Sequence, residues 1–444
     1  MLLRDLARQA AIYLFPLYEM YRTRWNATVD ESNPLRQHLN RFFHVPVLAN
    51  ERSRQVTTPN NDTLYSSAWL ELSGEPMFLT VPAMGAHYYS YALMDLFTDN
   101  FAYVSHRLDG AAPRPRMIVG PKWQGDVQAG VTLIRSPTNS VWLLGRLLVA
   151  GPEEFAAVRA LQQRALLETP DMRNERRIVE TEELMRQRTL LPVEPVADWP
   201  APSPSDPFDL FHVGLAALGE SPLVERDRDF IDRMSPLKLR PGRKFDARAI
   251  GDAEREAIGQ GIVDARGEIR AAGKRYGRTV EGWNYPAPNI GNFGDDYLYR
   301  ALIALTGLAA LEQSEATYFT CNSDADGRPL DGDGRYRLAF PPNGLPPAKA
   351  FWSLAMYEVT SEGRAFFTAN PLNRFSIGDR TQGLRFAADG SLELLLQREQ
   401  PEKDKQVNWL PAPAGPMRLV LRAYEPGPAI LEGRYRVPAV KRVG

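Results

Sequence analysis

The chain has 444 residues, with 53 basic and 54 acidic side chains and a formal net charge of −1. That balance gives no electrostatic footprint for nucleic acid or for an acidic membrane, so neither is expected as a partner. The length exceeds what one hydrophobic core usually organises, and the single cysteine, Cys321, excludes an intramolecular disulfide and a cysteine-built zinc cluster.

The first segment, residues 1–30, places Leu3, Leu6, Ala7, Ala10, Leu14 and Leu17 near helical spacing, which predicts an amphipathic helix. Pro16 lacks a backbone donor and should kink it. Arg4, Asp5 and Arg8 interrupt the apolar stretch that a secretory leader needs, and no run of 18 apolar residues occurs in the chain. No leader and no membrane span are expected, and the cytoplasm is the expected compartment.

Residues 31–150 change texture. "TLYSSAWLEL", "PMFLTVP", "HYYSYALMDL", "NFAYVSHRL", "RMIVG", "VTLIRSP" and "SVWLLGRLLVA" are short aromatic and β-branched runs separated by Gly, Pro, Asp and Asn. They predict a β-sandwich or barrel. Residues 151–313 read as a helical linking region that begins at Pro152, with further helices near 206–218, 222–234 and 246–272. A Pro-rich connector lies near 190–207, Asp295 is a candidate N-cap, and "DYLYRALIALTGLAALEQ" reads as a buried helix. Residues 314–444 return to β texture, with "AADGS" as a hairpin turn between two strands.

Two stretches carry a family resemblance. "VPVLANERSRQVTTPNNDTLYSSAWLELSGEPMFLTVP", followed by "HYYSYALMDLFTDNFAYV", resembles the bacterial DUF1254 domain. "DGRPLDGDGRYRLAFPPNGLPPAKAFWSLAMYEV", with "NRFSIGD" and "NWLPAPAGPMRLVLRAYEP", resembles DUF1214. The resemblance implies a mainly β protein with α: two jelly-roll-like β-sandwich domains with helices around them. It implies no particular reaction.

The candidate site begins at "PNNDTLY". Asp62 can act as acid or base, Asn60 and Asn61 can supply amide donors, and Tyr65 a phenol. The alternative is an Asx-type turn that opens the following strand. Strand alternation places His87, Tyr89, Tyr91 and, if the strand is unbroken, Asp95 on one face, either lining a cavity or forming an aromatic outer face. Trp283, Asn284 and Tyr285 lie in a Gly/Pro-rich loop, as a wall between the β domains or as plain interdomain packing. Trp352, Tyr357, Asn370, Arg374, Asn408 and Trp409 resemble positions of the second domain's pattern, where an Arg with Trp and Asn could hold a carboxylate or a polyol.

No GxSxG elbow, phosphate loop or dinucleotide fingerprint is present, and the five histidines show no HExxH or HxH spacing. "CNSDADGRPLDGDGRY" is rich in hard oxygen ligands but lacks the Glu of a calcium loop, and turn chemistry accounts for it. No cofactor and no metal are expected. The resulting expectation is a cofactor-independent hydrolase or lyase acting on a small polar or aromatic substrate. Asp62 is its acid–base residue, Asn61 a donor, and Tyr65, His87 and Tyr89 the pocket wall. The alternative is a binding protein for a carbohydrate-like or carboxylate ligand. A homo-oligomer is compatible with either.

Overall fold

The structure is a computed structural model that describes residues 2–54, 57–174, 200–361 and 363–443. Residues 190–199 of the expected Pro-rich connector lie outside the described residues. The protein is mainly β with α.

The N-terminal helix, Leu2–Thr28, runs unbroken through Pro16 and buries one long apolar face. Its Ala7, Leu14 and Leu17 pack against the helices Asp209–Gly219 and Asp252–Ala271, where Gly261 is required because a Cβ there would meet Arg4 O at 2.5 Å. The third helix of this layer, Tyr297–Thr306, is capped by Asp296, whose side chain accepts from Tyr299 N. Asp295 is therefore not the cap, and the helix stops before Gly307, well short of Gln313. Among the described residues, no helix is long and apolar enough to cross a membrane.

The first β unit has a five-stranded antiparallel sheet in the order Phe43–His44, Thr63–Glu71, Ser140–Leu148, Tyr89–Asp95, Asn100–Ser105. A smaller sheet contains Met77–Thr80 and Arg116–Val119, and Met77, Leu79 and Ile118 share a core with Leu64, Leu93 and Leu147 of the first. The second β unit repeats this plan. Its large sheet runs from Arg278–Val280 through Trp283–Tyr285, Ala316–Cys321 and Met417–Pro426 to Ala348–Val359. A four-stranded sheet holding Tyr336–Phe340 and Leu392–Gln397 covers its outer face. The "AADGS" turn closes by Ala387 N donating to Ser391 O, but only the strand that follows it forms.

The expected face of His87, Tyr89, Tyr91 and Asp95 does not exist as one surface. The strand begins at Tyr89, so His87 stays in the preceding turn, 3.8 Å from Glu154. Tyr89 and Tyr91 point into the first unit's own core, and the Tyr89 hydroxyl donates to Gly110 O. A register irregularity between Leu93 and Met94 ends the alternation. Asp95 then folds over a tight turn, accepting from Phe97 N at 2.9 Å and Asp99 N at 3.0 Å. Burial and the neighbouring Asp99 raise the Asp95 carboxyl above the usual range. Asp99 takes Arg300, Arg226 and the Phe293 amide, which ties the helical layer to this sheet.

Tyr91 lies in register beside Gly145, and a Cβ at 145 would sit 2.5 Å from its ring. Gly145→Ala is expected to lower stability by about 1–3 kcal/mol, the usual cost of overpacking a core. Urea unfolding checks this, and an unchanged midpoint would show that the Tyr91 ring has room to move.

Candidate functional site

The two large sheets face each other, and their registers bring two polar rows together. In the first sheet, Tyr65, Arg146, Ser90 and Ser105 are consecutive cross-strand partners. In the second, Tyr318, Arg422 and Ser353 are. Strand alternation sends the neighbours of each row into the two separate cores, so these rows meet each other. The Tyr88, Ala92, Phe351 and Tyr424 side chains pack around them in one shared cluster.

The PNND segment is the hinge point of this layer. Thr58, a β-branched residue at φ 50°, is held in that strained conformation from the second unit: its N–H donates to Ala365 O and its carbonyl accepts from Arg422. Tyr357 donates to Pro59 O at 2.7 Å. Asp62 is 2% exposed and turns away from its own sheet. It accepts from Arg380 at 2.6 Å, from Ser353 at 2.6 Å and from Ser376 at 3.4 Å, all in the second unit. Asp62 is therefore neither the anchor of a surface turn nor the partner of His87.

The Asn60 amide orients a chain of hydrogen bonds. Asp62 N–H can only donate, so the atom it meets at 2.8 Å is Asn60 Oδ1. Asn60 Nδ2 then faces the Tyr424 hydroxyl at 2.7 Å, which must accept. The Tyr424 hydrogen is left to donate into the layer. Burial, reinforced by the neighbouring Tyr318 and opposed by Arg422, holds the Tyr424 phenol well above its usual range, so it stays protonated.

Three guanidiniums share this space. Arg146 is 6% exposed, lies 5.4 Å from the Tyr65 ring centre and donates to Ala309 O. Arg422 is 4% exposed and donates to Thr58 O. Burial opposes both charges, but the Tyr65 and Tyr318 dipoles beside Arg146, and Tyr357, Tyr424 and the Asp62 carboxylate beside Arg422, outweigh it, and both arginines hold their protons more tightly than usual. Arg146 Nη1 and Arg422 Nη1 have no well-aligned acceptor, although the Tyr65 and Tyr357 hydroxyls lie against these two side chains, and the Ser90 hydroxyl between Tyr88 and Ala92 has no partner. Arg380 stacks on Phe351 at 4.5 Å and, at 19% side-chain exposure, forms the solvent edge with Asp379. The Asp379 carboxyl is pushed up to about 6, chiefly by burial, although Arg380 pulls the other way.

Of the sequence-predicted residues, Asn60, Asp62 and Tyr65 belong to this layer. Asn61 lies beside it, with a buried Oδ1 that has no partner. Trp283 and Tyr285 sit in the second unit's core, donating to Pro438 O and accepting from Val437 N respectively, so they form no wall between the units. Trp352 packs on Phe340 in that same core. Arg374 directs Nη1 at the carbonyls of Gln406, Val407 and Trp409, which makes it a loop brace. Asp324 Oδ1 accepts from Asp326 N and Arg328 N, the turn chemistry expected of its segment. Arg146, Arg422, Arg380, Ser90, Ser353, Tyr318 and Tyr424 were missed. One signal was legible: "LLGRLL" and "LVLRAY" each set a lone arginine inside an apolar strand run.

Comparison with known proteins agrees with this two-unit plan. Residues 39–169 match the family described as protein of unknown function (DUF1254), and residues 315–428 match protein of unknown function (DUF1214). The chain carries the DUF1254–DUF1214 domain pair. The crystal structure of the VPA0106 protein from Vibrio parahaemolyticus is similar over 100% of both chains, with TM-score 0.74 and 24% identity, which shows a shared fold. An uncharacterized protein from Burkholderia cenocepacia aligns over 97% of this chain and 87% of its own, with TM-score 0.46 and 11% identity. No curated protein matches the chain. The polar layer joins the two matched domains: Asp62 and Arg146 come from DUF1254, Ser353, Arg380 and Arg422 from DUF1214.

The raised Asp379 value has a definite sign. The folded protein binds this proton before an unfolded chain does, so its contribution to stability grows as pH falls from about 6 towards the ordinary aspartate range near 4. Asp379→Asn removes that contribution. Its stability relative to wild type should therefore be highest near pH 7 and shrink on acidification, read from urea midpoints. A difference constant across that range would refute the assignment.

Proposed function

We propose that the layer between the DUF1254 and DUF1214 sheets binds a small molecule through a carboxylate, and that the protein is a ligand-binding protein. The observation that carries this reading is that the buried guanidiniums of Arg146 and Arg422 form no ion pair among the described residues, while Arg380, at the solvent edge, is shared by Asp62 and the half-exposed Asp379. The nearby Glu315 is already paired with Arg107, and Glu425 is hydrogen-bonded to His106 Nδ1 at 2.8 Å. A buried cation without an anion is costly, and planar guanidinium suits a carboxylate. The two Nη1 groups without a well-aligned acceptor and the Tyr424 hydroxyl add donors that call for an acceptor-rich ligand.

One observation favours a second reading, a cofactor-independent hydrolase or lyase. Asp379, with its value near 6 beside Arg380, is poised for proton transfer close to neutral pH. In that reading Asp379 replaces Asp62 as the acid–base residue, because every oxygen of Asp62 is already engaged. We further read each two-sheet unit as jelly-roll-like, on the strength of its shared inter-sheet core, and assign the protein to the cytoplasm, consistent with its lone buried thiol.

Calorimetric titration with butyrate tests the binding reading. Arg146→Gln and Arg422→Gln should each weaken binding by about tenfold or more, as loss of a charge-assisted hydrogen bond does. Asp62→Asn should tighten it, because a competing carboxylate is removed. Unchanged affinity in both arginine variants would place the ligand elsewhere.

A further inference from the structure

Ser90 is fully buried, sits at the centre of the interdomain face between Tyr88 and Ala92, and its hydroxyl has no hydrogen-bond partner. A hydroxyl left unpaired in a core normally costs stability, and an alanine of nearly the same size would avoid that cost. The neighbouring strand shows what a paired serine looks like here: Ser105, the register partner of Ser90, donates to Glu315 at 3.2 Å. Ser90 is also the register partner of Arg146, whose Nη1 has no well-aligned acceptor. Cross-strand partners hold their Cβ atoms about 5 Å apart, so the hydroxyl lies beside the stem of the arginine while the guanidinium reaches past it. The guanidinium leans over the Tyr65 ring on one side and Ser90 borders its stem on the other, so a ligand that bonds Nη1 from the Ser90 side would meet both groups.

We propose that the ligand of this layer is a hydroxy- or oxo-carboxylate, its carboxylate held by Arg146 and Arg422 and its second oxygen read by Ser90. This rests on the carboxylate-binding reading and adds the chemical class. A serine hydroxyl can donate to a carbonyl or accept from an alcohol, so either oxygen satisfies it. The two oxygens of a carboxylate suit the planar fork of a guanidinium, and inorganic phosphate is the competing anion that the test must exclude.

The test is calorimetry on the full chain with butyrate, 2-hydroxybutyrate, 3-hydroxybutyrate, 2-oxobutyrate and inorganic phosphate, on wild type and Ser90→Ala. At least one oxygenated acid should bind about tenfold more tightly than butyrate, the effect of one satisfied buried hydrogen bond. Ser90→Ala should bring that ratio to within about twofold of unity, by weakening the oxygenated acids far more than it weakens butyrate. Its thermal midpoint should not fall, because the hydroxyl it deletes bonds nothing in the protein. Equal binding of all four acids by wild type would overturn the Ser90 assignment and leave the carboxylate site standing. So would a preference that survives in Ser90→Ala. Phosphate binding more tightly than every acid would overturn the carboxylate class. Failure of every anion to bind would remove the carboxylate site and this inference together.

Discussion

A carboxylate or guanidinium moved from water into a protein interior must be met by opposite charge and by hydrogen bonds, or the fold loses several kcal/mol. The meeting of the two large sheets is governed by that constraint. Asp62 leaves the edge of the first sheet without a cation of its own and finds Arg380, Ser353 and Ser376 in the second. Arg422, central in the second sheet, finds the carbonyl of Thr58 in the first unit's loop. Each unit would expose or strand a charge if it stood alone, so the two are complete only as a pair. Thr58 can hold its left-handed backbone for the same reason, being bonded on both sides from across the boundary.

The constraint is incompletely discharged, and the proposed ligand site rests on that. Protein donors satisfy Asp62, but well-aligned protein acceptors do not serve every N–H of Arg146 and Arg422. Natural cores rarely leave buried donors unpaired, and those that do tend to be sites where something else supplies the acceptor. Placement matters as well. The arginines, Ser90 and Tyr424 stand on strands in the middle of sheets, where neighbours on both sides fix their directions, and such positions hold a geometry better than loops do. The segments that looked functional, around Trp283–Tyr285 (a strand rather than the expected loop) and Arg374, are braces instead. Their side chains satisfy backbone groups that irregular segments would otherwise leave unpaired.

How much was legible can be stated residue by residue. "PNNDTLY" stood out because a proline, two amides and a carboxylate before a strand carry more polar chemistry than a simple turn uses, and in the fold its Asp62 bonds across the boundary to Arg380 and Ser353. The aromatic run "HYYSYALMDL" misled, because alternation shows which residues share a face but not which face looks inward. Tyr89 and Tyr91 belong to the core, and the small Ser90 between them faces the other unit. The lone arginines of "LLGRLL" and "LVLRAY" were visible anomalies whose meaning depends on what lies opposite.

By itself the sequence determined the local periodicities: an amphipathic first helix, a helical middle, and two strand-rich segments with the DUF1254 and DUF1214 patterns. Those follow from side-chain spacing within a few residues of chain. Only the tertiary structure decided that Asp62 answers Arg380 and Ser353, some 300 residues away, and that Arg146 and Arg422 share one layer. Strand order and the facing of two sheets are set by the burial of whole surfaces, which no local spacing encodes.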